Sequence, residues 1–199
     1  MKDSLNINYT VGQIAATQQI LSAMIENDML LTALEESVQV CVNCLQNGGK
    51  ILLAGNGGSA ADAQHIAAEL VSRFAFDRPG LSAMALTTDS SILTSIGNDY
   101  GFEKLFARQI QANGNAGDIF IGYSTSGQSA NILCAFDAAR EGGLICIGFT
   151  GNKGGKMLEK CDYILEVPSA DTPKIQEGHL VLGHILCGLV EQAIFQVPE

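Results

Sequence analysis

Two loops rich in glycine and hydroxyl residues, and one histidine–glutamate pair, carry most of the chemistry this sequence offers. His65 and Glu69 stand four residues apart, a spacing that puts both side chains on one helix face about one turn apart. The pair suits a general acid and base, or two ligands of a metal ion. It is also the spacing of an ordinary surface pair. Arg73 continues the stripe and could hold Glu69 or touch an anion.

Gly55-Asn56-Gly57-Gly58-Ser59 follows one short apolar run, and Ser124-Thr125-Ser126-Gly127-Gln128-Ser129 follows another. Each stands before a stretch of helical patterning. Glycines let the backbone approach a ligand, and a helix N-terminus points free N–H groups at it. Ser124, Thr125, Ser126 and Ser129 can ring a phosphate with neutral donors, although Ser129 could be a plain helix cap. Gly55, Gly57 and Ala60 also fit a loose dinucleotide-binding pattern, for which Asp89 would be the ribose-binding acid.

The chain's 3 histidines are His65, His179 and His184. Gln176, Glu177, His179 and His184 share a final helical pattern. Gln176 and His184 lie ~12 Å apart along an ideal helix. Both reach one point only by leaning together, around a midpoint site or an irregularity near the helix start. His184 has apolar neighbours, where a lone histidine is more often a core residue. Gly97-Asn98-Asp99-Tyr100-Gly101 has turn composition, and Asn98 and Asp99 could bond sugar hydroxyls.

These groups need a scaffold. Residues 10–27 and 30–47 read as helices, the second stopped by Gly48-Gly49. Apolar runs at 50–54, 82–86, 118–123, 144–149 and 162–167 read as strands. Helical patterns at 60–73, 89–97, 103–112, 129–141 and 153–160 separate them, and 174–196 closes the chain. Alternating apolar strands and helices predict a doubly wound, five-stranded parallel sheet with a helical hairpin before it and a long helix after it. Ligands of such sheets bind beyond the carboxyl ends of the strands, where both loops fall.

Bulk composition narrows the function further. The formal net charge is -10, which disfavours nucleic acid as a ligand and leaves any anion to be held by local donors. Charged residues are only 16% against 47% hydrophobic, which suits extensive subunit burial. The 6 cysteines lie mostly in apolar runs, and Cys41 and Cys44 read as buried helix thiols of a reducing compartment. No signal segment or membrane-length apolar run is visible, so a cytoplasmic protein is expected.

The segments at 55–70, 96–102, 124–132, 150–157 and 175–186 together resemble the phosphoheptose isomerase family of the sugar-isomerase (SIS) superfamily. The likeness runs in register from about residue 20 to residue 195. It implies a flavodoxin-like SIS domain over 1–199, with 1–48 as a helical arm. It implies conversion of sedoheptulose 7-phosphate to D-glycero-D-manno-heptose 7-phosphate through an enediol, for lipopolysaccharide core or capsule heptose. Asn56, Gly57, Gly58, Ser59, Arg73, Asn98, Asp99 and Gln176 would then meet the substrate, and Ser124, Thr125, Ser126 and Ser129 its phosphate. Glu69 and His184 would be the acid/base pair, in either division of labour. His65, Glu69, Gln176 and His184 would hold zinc, and the assembly would be a homotetramer.

A related superfamily member that binds a replication initiator, and looks non-catalytic, gives the alternative. It shares the run at 59–65 but lacks an acid and a histidine at the positions of Glu69 and His184, both present here.

Overall fold

The computed structural model describes residues 6–195. Five parallel strands form one sheet in the order β2-β1-β3-β4-β5. They are β1 (Ile51–Ala54), β2 (Ala83–Ala85), β3 (Ile119–Tyr123), β4 (Ile145–Gly151) and β5 (Tyr163–Val167). The helices are α1 (Ile7–Ile25), α2 (Asp28–Gln46), α3 (Gly58–Val71), α4 (Ser90–Tyr100), α5 (Leu105–Asn113), α6 (Ala130–Glu141) and α7 (Thr172–Ile194). The doubly wound, five-stranded parallel sheet expected from the alternating pattern is present, and its order is the flavodoxin-like one that the resemblance implies, with a switch between β1 and β3.

Period-two alternation along the strands builds two cores. Ile51, Leu53, Ile121, Phe149 and Leu165 face α2, α3 and α7. Leu52, Ala54, Phe120 and Cys146 face the other way, onto α4, α5 and α6. Both faces are covered, which is why the strands read as continuous apolar runs rather than alternating ones. Small residues let α7 settle close: a Cβ on Gly178 would stand 2.7 Å from Val167, and one on Gly183 2.6 Å from Ile66 of α3.

Three expectations need correction. Residues 97–100 are not a turn but the end of α4, whose helix starts on an Asp89 cap and stops at Gly101, where φ is +89°. The buried Ile96 anchors that last turn, so packing overrides its weak helix propensity. The pattern at 153–160 becomes only a short 3₁₀ turn, Gly155–Glu159, because Gly154 and Gly155 both take positive φ. The closing helix ends at Ile194, and position 196 lies outside the described residues.

The first helix is covered only toward its end: Met24 is buried and Ile20 and Leu21 pack half-buried on the core, while Val11, Ile14 and Ile25 are exposed. All six cysteines are free thiols, and Cys41 and Cys44 are buried on α2 as expected. Among the described residues no helix is long and apolar enough to cross a membrane.

Candidate active site

Both candidate loops emerge at the carboxyl ends of neighbouring strands, β1 and β3, at the switch point. They line one cleft of about 290 Å³. Asn56, Gly57, Gly58 and Ser59 form one wall, Ser124, Thr125 and Ser129 the opposite one, and Thr172 and Gln176 of α7 close the third side.

The local geometry of this cleft suits an anion. Helices α3, α6 and α7 all begin here, on Gly57, Ser129 and Asp171, and none of these residues caps its helix with a side chain. Ser129 stands at the cap position of α6, yet its hydroxyl meets Ser124 Oγ at 2.9 Å instead of closing its own helix. Backbone N–H groups and positive dipole ends are therefore left to a ligand. Gly57 has φ +57°, which turns the chain into α3 without a side chain in the way. Asn56 and Asn131, the latter on α6, exchange two amide hydrogen bonds of 2.9 and 2.8 Å and tie the glycine loop to the hydroxyl loop's helix.

Helices α3 and α7 run side by side from this cleft. Gln176 lies against Gly58 at their start, and His184 faces His65 two turns on. His65 Nε2 is 3.0 Å from Glu69 Oε1 and 3.3 Å from His184 Nε2. The ligand atoms of His65, Glu69 and His184 all lie within 4.8 Å of one another. His184 is not a satisfied core histidine: it is half-buried, edge-on to His65 and packed on Phe74 at 5.6 Å.

Gln176 is not brought into this cluster. α7 is regular from Thr172, so the amide rests on the glycine loop rather than leaning toward His184. Arg73 is exposed and forms no ion pair with Glu69. Arg78 does the holding instead, donating to the Glu69 carbonyl at 2.9 Å and to the Leu70 carbonyl at 2.6 Å. Its Nε meets Glu191 at 2.9 Å, and both side chains are almost wholly buried. Burial opposes the charge on Glu191; the amides of Phe74 and Ala75 and the Arg78 guanidinium outweigh it and hold the carboxyl below its ordinary range. Asn98 and Asp99 bond each other at 2.8 Å, face solvent and are outside the cleft lining.

Sequence reasoning missed several groups around the site. Asn131, Thr172 and Arg78 left faint signals: an asparagine two residues into a helix, a threonine before a helix-starting proline, and an arginine in the irregular 74–81 stretch. Asp62 and Tyr123 gave none. Each has a buried side-chain oxygen with no partner in the protein, and burial pushes the Asp62 carboxyl up to about 6 against the pull of His65.

A flavodoxin-like sheet with an anion cleft at its switch point, and a carboxylate–imidazole cluster two turns along, defines a sugar-phosphate-handling α/β protein. Comparison with known proteins narrows this. Residues 14–151 match the SIS domain family model. The phosphoheptose isomerase of Burkholderia pseudomallei (strain 1710b) is 64% identical over 97% of this chain and 98% of its own. That of Aneurinibacillus thermoaerophilus is 57% identical over 95% and 96%. The solved phosphoheptose isomerase of Neisseria gonorrhoeae superposes with a TM-score of 0.87 at 41% identity, covering 93% of this chain and 98% of that one. The chain belongs to the SIS domain family and, within it, to the phosphoheptose isomerases.

Neither rival survives. The initiator-binding alternative finds no support among these relatives, and Glu69 is seated with His65 and His184. The dinucleotide reading fails at Asp89, whose carboxylate is used up capping α4 through the Ile92 amide at 2.9 Å.

Proposed function

We propose that the chain isomerises sedoheptulose 7-phosphate to D-glycero-D-manno-heptose 7-phosphate through an enediol. The observation that carries this is the two-ended site. His65 stands seven residues beyond Gly58 on α3, roughly 10 Å along the helix. A seven-carbon chain, at the ~1.2 Å per bond of an extended backbone, puts its phosphate about 9–10 Å from C1. A phosphate seated in the cleft thus leaves C1 and C2 beside the histidine–glutamate cluster.

Ser124, Thr125, Ser126 and Ser129, with the N-termini of α3 and α6, hold the phosphate and fix the sugar in register far from the reacting carbons. Glu69 removes the proton from C1 and returns it to C2. His184 moves protons between O1 and O2 or opens the ring, and the reverse division of labour is the alternative. Asn56, Gly57, Gly58, Ser59 and Gln176 orient the chain between the two ends, and the exposed Arg73, Asn98 and Asp99 are the further candidates for contact with the substrate.

His65, Glu69 and His184 suit a divalent metal, zinc by the chemistry of two imidazoles and a carboxylate. When bound, such an ion polarises a carbonyl oxygen. Gln176, whose amide here rests on Gly58, would have to swing toward His184 to complete the set as a fourth ligand.

A homotetramer fits the exposed Ile7, Tyr9, Val11 and Ile14 of α1, which no described residue of the subunit buries. The proposal treats the chain as one SIS domain, with residues 1–48 as its arm, working in the cytoplasm on heptose for lipopolysaccharide core or capsule. The buried free thiols support that compartment, and the acidic charge argues against a nucleic-acid partner. The test is incubation of the pure protein with sedoheptulose 7-phosphate, followed by NMR. The aldose phosphate is expected, and its absence from folded, zinc-supplied protein would sink the proposal.

A further inference from the structure

We propose that Lys153 is the cation of the phosphate site and sets its preference for a dianionic substrate. The inference rests on the cleft holding a phosphate. No residue lining that cleft is charged, and the protein as a whole carries a formal charge of -10. Neutral donors can bind a dianion, but they cannot attract it against that field.

A second pocket adjoins the cleft and shares Thr125 and Thr172 with it. Ser126, Gln128 and Asn152 help line it, and Lys153 is its one charged residue. The loop carrying Lys153 follows β4 and is pressed backbone to backbone on the hydroxyl loop. Gly151 donates to the Thr125 carbonyl at 3.2 Å, and the Asn152 amide to the Ser169 carbonyl at 3.0 Å. A Cβ on Gly127 would stand 2.0 Å from the Gly154 carbonyl oxygen, so only glycine allows this approach. The glycines of this segment, which the isomerase chemistry leaves without a role, thus bring a lysine to the edge of the phosphate cleft.

Lys153 is also free to act. It is exposed and pairs with no carboxylate among the described residues. Lys50, Lys160, Lys174 and Arg78 are each committed, to Asp118, Asp137, Glu177 and Glu191. The proposal gives Lys153 two jobs: drawing the substrate in through solvent, and favouring the dianion over the monoanion once it is seated.

The test is binding of inorganic phosphate to the full chain by calorimetry at low and high salt. Wild type, Lys153→Gln, Lys153→Arg and Lys156→Gln are compared, the last as a same-loop control outside both pockets. Lys153→Gln is expected to bind phosphate about five- to tenfold more weakly, the scale of a solvent-facing charge, and to lose most of the salt dependence. Lys153→Arg should restore both, and Lys156→Gln should match wild type. Affinity of Lys153→Gln within twofold of wild type, at low salt, overturns the proposal and leaves the cleft assignment standing. Wild-type protein that binds no phosphate overturns both.

Discussion

The Nε2 atoms of His65 and His184 lie 3.3 Å apart, where α3 and α7 run side by side. The same His65 nitrogen is 3.0 Å from Glu69 Oε1. One ring hydrogen cannot serve both neighbours, whereas a cation can be shared by all three groups. Zinc is therefore expected to bind one ion per chain and to raise the melting temperature. At a hundredfold excess over its Kd the stabilisation is about 2.7 kcal/mol. His184→Ala and His65→Ala should abolish it, as read by calorimetry and thermal melting without any activity assay. A zinc-induced shift that survives both substitutions would place the metal elsewhere.

Asn131 is 2% exposed and holds Asn56 through both amide bonds. Asn131→Ala leaves the Asn56 amide without its partner, at a cost of about 1–3 kcal/mol. The glycine loop loses its anchor to α6. KM for the sugar phosphate should rise roughly tenfold, on the same energy scale, and the melting temperature should fall. Asn131→Asp, which can accept but not donate, should lie between the two. Unchanged KM in Asn131→Ala would remove Asn131 from the binding apparatus.

Arg78 and Glu191 form a buried pair that closes the end of α3 and fixes the segment carrying Phe74. Arg78→Ala strands the Glu191 carboxylate in the interior. Unfolding by denaturant should show a loss of about 3–5 kcal/mol. The double replacement Arg78→Met with Glu191→Leu should recover most of it, because no charge is then left unpaired. A single variant as stable as wild type would contradict the burial described here.

His179 lies beneath the cleft, fully buried, with Nε2 donating to the Thr150 carbonyl at 3.2 Å and Nδ1 unpartnered. Burial draws its pKa from 6.5 down to about 4, against the opposing effect of the Thr150 bond. Between those values the unfolded chain takes up a proton that the folded one refuses. Stability from this group is thus complete above about pH 6.5 and falls as the pH drops toward 4, by roughly 3 kcal/mol in all. His179→Gln should flatten the profile across that window relative to wild type, in denaturant titrations at matched pH.

The sheet was legible because its strands are covered on both faces and so stand out as apolar runs, as at Ile51–Ala54 and Ile119–Tyr123. The two loops were legible because glycine and serine types dictate what the backbone can present. Local spacing could not show how distant turns fold together. Arg73 continues the helical stripe of Glu69 and so reads as its partner, but the chain bends back after Ser72 and brings Arg78 to the Glu69 backbone carbonyl, leaving the carboxylate to His65. Gln176 looked like a companion of His184, and a straight α7 keeps it at Gly58. Asn98 and Asp99 read as a turn because their types disfavour helix, and the burial of Ile96 decided otherwise.

The central claim is that Glu69 and His184 perform the proton transfers. The most direct measurement is turnover of sedoheptulose 7-phosphate in deuterium oxide by wild type, Glu69→Gln and His184→Gln, with folding checked by circular dichroism. Wild type should form the aldose phosphate, with deuterium at C2 to the extent that the proton held by Glu69 exchanges with solvent at the enediol stage, and each variant should lose at least ~10²-fold in rate, the scale of general acid–base catalysis. Turnover by both folded variants within tenfold of wild type would contradict the account.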